Sequence, residues 1–98
     1  MPVSLTSKQK KTLRGIAQNL REHTTVGKQG ITPLVIRTIS DGLTHESLVK
    51  VRILDEDRVA RAALAGELAS TLDAVLCGSV GKTVSLYRPG KKSIPMDD

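Results

Sequence analysis

Residues 24–33 read Thr24-Thr25-Val26-Gly27-Lys28-Gln29-Gly30-Ile31-Thr32-Pro33. A β-branched run, a glycine tetrapeptide and a helix start follow one another without a spacer. Thr and Val favour a strand. Thr32 suits an N-cap, and Pro33 suits the first helical position, where its missing N–H is not needed. Gly27-Lys28-Gln29-Gly30 is therefore a glycine loop at a strand-to-helix junction. Two glycines let backbone approach a bulky partner, because no Cβ stands in the way. The helix start adds unpaired N–H donors and the positive end of its dipole. Lys28 puts a mobile cation at the tip, with Gln29 beside it. Such a loop is shaped for phosphate. A plain tight turn would use the same four residues, so the rest of the chain has to decide between the two.

Composition favours a polyanionic partner. The chain has 98 residues, enough for one domain with a modest core. Its net charge of +5 is unevenly spread. Residues 1–40 carry seven Lys/Arg against Glu22 alone, and residues 41–73 carry seven acids against four bases. Residues 74–98 return to four bases against two acids. Basic ends around an acidic middle point to nucleic acid, and the glycine loop then resembles the GxxG clamp of KH-type domains. Tyr87 is the only aromatic residue. Binders that stack bases on aromatic platforms are thereby excluded, leaving phosphate, sugar and shape. No run of 18 apolar residues and no signal-peptide core occurs, so neither a membrane span nor secretion is expected. The single cysteine, Cys77, suits a reducing cytoplasm and reads as a buried small hydrophobe.

Outward from the loop, the other elements follow from periodicity. Thr6-Ser7-Lys8-Gln9 forms a capping box that starts a first helix over about Ser7 to Leu20. On a helical wheel Leu13, Ile16 and Leu20 fall within about 60° of one another. Lys10, Lys11, Arg14 and Arg21 fall on the opposite side, with no acid among them. Thr24–Val26 is the first strand. The second helix runs from Pro33 to Leu43 or Thr44 on Val35, Ile36, Ile39 and Leu43, with Arg37 pointing away, one turn beyond the loop. Leu48–Leu54 alternates cleanly, with Val49, Val51 and Ile53 on one face and Lys50 and Arg52 on the other. That second face is expected to be partly solvated. Asp55-Glu56-Asp57 complements the start of a third helix, Arg58–Leu72. Ala74–Val80 and Thr83–Tyr87 are the last two strands. Gly81-Lys82 between them is a type II′ hairpin signal. Arg88 to Asp98 has no apolar periodicity, and residues 91–98 are expected to form a flexible tail.

No residue set asks for catalysis. Gly78-Ser79-Val80-Gly81-Lys82-Thr83 ends like a phosphate-binding P-loop, but Leu76 stands where that motif needs glycine, and a strand follows instead of a helix. His23 and His45 lack Cys or acidic partners at ligand spacing, so no metal site and no cofactor are expected.

The order helix, strand, GxxG, helix, strand, helix, strand, strand resembles the CRM domain family, the chloroplast RNA splicing and ribosome maturation domain. It is most similar to the bacterial single-domain, YhbY-like members. The resemblance spans about residues 5–88. It rests on Leu5-Thr6-Ser7-Lys8-Gln9 with Leu13-Arg14, on Val26 through Thr32, on His45 with Leu48-Val49-Lys50-Val51, and on Gly81-Lys82 with Leu86-Tyr87-Arg88. Two departures touch connections: Arg21-Glu22-His23 stands where a proline is frequent, and Ser47 where a glutamate is.

The resemblance implies an α/β two-layer domain over residues 1–90 with a mixed four-stranded sheet, similar to the C-terminal domain of translation initiation factor 3. It also implies a non-enzymatic protein that binds RNA of large ribosomal subunit precursors, with no small-molecule substrate. The expected RNA-binding residues are Gly27, Lys28, Gln29 and Gly30 as the clamp, Lys10, Lys11 and Arg14 as a flanking track, and Arg37 as a nearer phosphate contact. Lys50 and Arg52 are secondary candidates. The competing reading is a protein-interaction module docking through an exposed sheet face.

Overall fold

Seven elements follow one another in the computed structural model, which describes residues 4–96. They are α1 (Ser7–Ala17), β1 (Glu22–Val26), α2 (Pro33–Glu46), β2 (Leu48–Ile53), α3 (Arg58–Leu72), β3 (Val75–Val80) and β4 (Thr83–Tyr87). The strands form one mixed sheet in the order β1-β2-β4-β3. β1 runs parallel to β2, while β4 is antiparallel to both β2 and β3. The expected α/β class, with three helices and a mixed four-stranded sheet, is what the chain adopts.

Local chemistry sets the helix starts. The Thr6 hydroxyl accepts the Gln9 N–H at 3.1 Å, and the Gln9 side-chain Oε1 accepts the Thr6 N–H at 3.0 Å, which closes the capping box. Thr32 caps α2 by accepting the Val35 N–H at 3.2 Å, with Pro33 in the first turn. Asp57 caps α3 through the Val59 N–H at 3.0 Å. Gly81 takes φ 59° at the first position of the β3–β4 turn and Lys82 stays out of the left-handed region, as a type II′ turn requires.

Alternation along β2 divides the core. Val49, Val51 and Ile53 join Val26, Ile39, Leu43, Leu68, Leu72, Val84 and Leu86 under α2 and α3. Leu48 faces the other way, joining Leu13, Ala17, Cys77 and Tyr87 under α1. The two expected layers are thus the sheet and the α2/α3 layer. To these α1 adds a partial third layer across the opposite face.

Three local expectations are corrected. The second helix runs on to Glu46, past Leu43 or Thr44. The first helix ends at Ala17, not Leu20. Its last turn tightens into i to i−3 bonds, Asn19 N–H to Ile16 O and Leu20 N–H to Ala17 O, at 3.1 and 3.0 Å. Within α1, Leu13 and Ala17 turn inward and Ile16 is left 37% exposed. β1 begins two residues early, at Glu22, with its register shifting between Glu22 and Thr24. The shift frees His23 to lie against α2, where its Nε2 meets Thr38 O at 2.9 Å. Gly42 of α2 is where the ring sits: a Cβ there would collide with the His23 imidazole.

The segment after β4 makes contacts that the sequence did not signal. Arg88 donates to Leu72 O and Ser40 O, both at 2.9 Å, and to the hydroxyls of Ser40 and Thr44. Lys91 and Lys92 N–H groups donate to Thr44 O and His45 O at 2.8 and 3.2 Å, satisfying carbonyls at the end of α2. Buried Ser47, in the left-handed conformation at φ 68°, donates its hydroxyl to Lys92 O and accepts the Gly90 N–H. One of the two departures from the family pattern is therefore the residue that receives this segment.

Candidate nucleic-acid interface

The glycine loop leaves the end of β1 and enters α2. Its turn closes with the Gly30 N–H donating to Gly27 O at 3.0 Å. Gly30 has φ 71°, in the left-handed region, whereas Gly27 does not share it. A Cβ built at either glycine meets nothing within 4 Å. Gly27, Lys28 and Gln29 are exposed. The backbone of the loop is thus open to direct approach by a ligand. Thr32 already takes one N–H of the helix start, so the loop cannot rely on that terminus alone. Arg37 is exposed on α2, about 6 Å further along its axis.

Beside the loop lies a cavity of about 280 Å³ lined by Gly27, Lys28, Gly30, Leu54, Asp55 and Leu64. Sequence reasoning did not place the last three residues there. Asp55 Oδ1 accepts the Asp57 N–H at 2.9 Å, which fixes the turn into α3. Leu54 is 42% exposed. A short apolar strand end followed by an acid was the only available signal, and it served equally well as helix capping.

The α1 cations sit elsewhere. Lys11 is exposed, while Lys10 and Arg14 are half-buried and border the sheet rather than facing away from it. The Arg14 stem lies across β3 at Gly78, where a Cβ would collide with it. Arg14, Gln18, Lys50, Thr83 and Ser85 line a groove of about 170 Å³ between α1 and the open part of the sheet. The fold therefore joins Arg14 to Lys50, which the sequence separates. It leaves Lys10 and Lys11 on the face opposite α2 and α3, away from the glycine loop. Burial pushes the Cys77 thiol up to about 11, with Lys10 and Arg14 drawing it partly back.

Two further cations are already matched. Arg52 Nη1 meets Glu22 at 3.3 Å and Lys82 Nζ meets Glu56 at 2.6 Å. The hydrogen bond and charge of Lys82 hold the exposed Glu56 carboxyl below its ordinary range. Gly78–Thr83, the sequence that ends like a P-loop, is the β3–β4 hairpin, so it lacks the helix that motif needs. No helix among the described residues is long and apolar enough to cross a membrane.

The model of the CRS1/YhbY (CRM) domain matches residues 5–88. The chain belongs to the CRM domain family. An RNA-binding protein of Haemophilus influenzae is 29% identical over 90 residues, covering 92% of this chain and 91% of that protein. The probable RNA-binding protein YqeI of Bacillus subtilis is 33% identical over 94 residues, covering 91% and 93%. Among solved structures, the hypothetical protein SAV1595 of Staphylococcus aureus, itself a candidate RNA-binding protein, superposes with a TM-score of 0.85. It is 31% identical, and the match covers 96% of this chain and 98% of that one. Within this CRM domain the glycine loop and the Arg14–Lys50 groove are two places where cations line room for a ligand, and a larger cavity of about 480 Å³ is lined by Arg58, Arg61 and Lys82, the last already paired with Glu56.

Proposed function

We propose that this CRM-domain protein binds RNA without catalysis, acting in the cytoplasm on ribosomal RNA of large-subunit precursors. The observation that carries the reading is the loop itself. Both glycines leave open space where a side chain would stand, and Lys28 lies between them. The names of the relatives point to the same ligand class. Gly27, Lys28, Gln29 and Gly30 clamp a phosphate by backbone N–H and cation, and Arg37 supports it from α2. Arg14 and Lys50 extend the contact across the open sheet, with Lys10 and Lys11 supplying longer-range attraction. That sheet face bears Lys50, Arg52, Thr83 and Ser85 with Val80 as its one exposed apolar side chain among the strand residues, a balance that favours RNA over a docked protein.

The test has two arms. In vitro, RNA affinity should fall with salt, with a log–log slope of roughly −0.7 to −0.9 per phosphate contact. In cells, crosslinking followed by sequencing of the attached RNA should recover large-subunit precursors, and sucrose gradients should carry the protein in the same fractions. Salt-insensitive binding would overturn the phosphate reading. Crosslinks to other RNAs alone would overturn the ribosomal assignment.

A further inference from the structure

The cavity beside the glycine loop is unlike the loop's outer surface. Lys28 is its cation, Leu54 and Leu64 give it apolar wall, and Asp55 puts a carboxylate on it. Phosphate is repelled by that carboxylate, so the anion belongs on the outer, backbone side of the loop. Asp55 Oδ1 is engaged by the Asp57 N–H, while Oδ2 has no hydrogen bond among the described residues. The cavity therefore offers apolar contact, one cationic donor and one carboxylate acceptor. It sits directly under a loop that would hold the adjoining phosphate.

We infer that this cavity takes an unpaired guanine of the bound RNA. The inference rests on the RNA-binding reading above and adds a base to it. Watson–Crick edges differ in their order of donors and acceptors. Guanine presents two adjacent donors, N1–H and the N2 amino group, next to the O6 acceptor. The donors face Asp55 and O6 faces Lys28, while the ring lies against Leu54 and Leu64. Adenine and cytosine present one amino donor beside a ring-nitrogen acceptor, which a carboxylate repels. Uracil flanks its single N–H with two carbonyls, which the carboxylate also repels. The base must be unpaired because the recognised edge is the pairing edge. An edge read by two hydrogen bonds discriminates by roughly fivefold to a hundredfold.

The experiment uses the full chain and a pool of RNA hairpins with randomised loops, selected at one fixed salt and sequenced. Guanine should be enriched at one loop position by about fivefold or more. Replacing that guanine by inosine, which lacks only the N2 amino group, should remove much of the preference. Asp55→Asn keeps an oxygen for the Asp57 N–H, so the turn is retained, and it should flatten the preference. Folding of the variant is checked by circular dichroism. If it is unfolded, the inosine comparison decides, since it alters only the RNA. Uniform recovery of all four bases, enrichment of another base, or indifference to inosine would overturn the guanine site while leaving RNA binding intact. A protein that retains no RNA from the pool would overturn the binding reading itself.

Discussion

Gly27→Ala separates backbone access from folding. Gly27 lies outside the left-handed region and a Cβ there meets nothing within 4 Å. The substitution should therefore be neutral or stabilise the fold by up to about 1 kcal/mol, through the unfolded chain. Gly30 differs: at φ 71° an alanine is strained and should cost about 1–2 kcal/mol. In a domain of 98 residues, each kcal/mol lowers the melting point by about 4–8 °C. Binding should follow another order. If a phosphate sits against the loop backbone, one methyl group at Gly27 holds it off and forfeits one charge-assisted hydrogen bond. That is about 1.5–3 kcal/mol, or roughly tenfold to a hundredfold in Kd. Gly27→Asp adds repulsion of about 1–3 kcal/mol for charges about 5 Å apart near a protein surface. Lys28→Ala should cost only about 1–2 kcal/mol, because the backbone donors remain. Fluorescence anisotropy with a labelled RNA hairpin at one fixed salt measures the binding, and a thermal melt measures the fold. A Gly27→Ala protein that melts like wild type and binds within twofold of it would refute the clamp.

Other expectations follow from packing and burial. Leu68→Ala, at a fully buried position, should destabilise by about 2–5 kcal/mol in urea unfolding, and Leu64→Ala, half-buried, by less. Arg88→Ala leaves Leu72 O without its side-chain donor, removes the second donor to Ser40 O, and should cost about 1–3 kcal/mol, with RNA affinity of the folded fraction unchanged. Cys77, with its pKa raised to about 11, should resist alkylation at pH 8–9 in the native protein and react readily in denaturant. Burial favours the neutral thiol, so this group's stabilisation is complete below the unfolded pKa of about 9 and is lost as pH rises towards 11.

The elements were legible because each one carries its own signal. The alternation of Leu48–Ile53, the caps Thr6, Thr32 and Asp57 and the Gly81-Lys82 turn all act within a few residues. What was not legible depends on partners distant in sequence. An amphipathic pattern shows that α1 has a buried side, but it cannot say which face of the sheet receives it. Leu13, Ala17 and Leu48 come together only because β2 turns Leu48 away from Val49. Ile16 points outward because α1 lays Leu13 and Ala17, one turn apart, on the sheet, a docking choice set by partners distant in sequence. Nothing near Gly42 or Gly78 in the sequence signals that each lacks a side chain to seat a remote one, His23 or Arg14. Asp55 was legible as a helix-flanking acid. Its place on the wall beside the glycine loop needed the parallel pairing of β1 with β2.

The same pairing bears on how far a bound RNA must reach. On the sequence, the cations of α1 and the glycine loop look like one basic track. In the fold, α1 crosses the sheet on the face away from α2 and α3, and Arg14 rests on β3, while the loop leaves β1 at the other edge. At about 4.8 Å between strands, three intervals separate those edges by about 14 Å. An RNA that touches both must cross the open face, where Lys50 meets the Arg14 groove and Arg52 is held by Glu22. Lys50 is half-buried at its base and packs no core, so Lys50→Ala should leave the melt unchanged. If one RNA spans loop and groove, Lys50→Ala and Lys28→Ala should each reduce the log–log salt slope by about 0.7–0.9, and the double variant by about 1.4–1.8. If the RNA is held at the loop alone, Lys50→Ala should leave the slope where it was. That result would confine the interface to the β1 edge and leave the cations of α1 as distant attraction only.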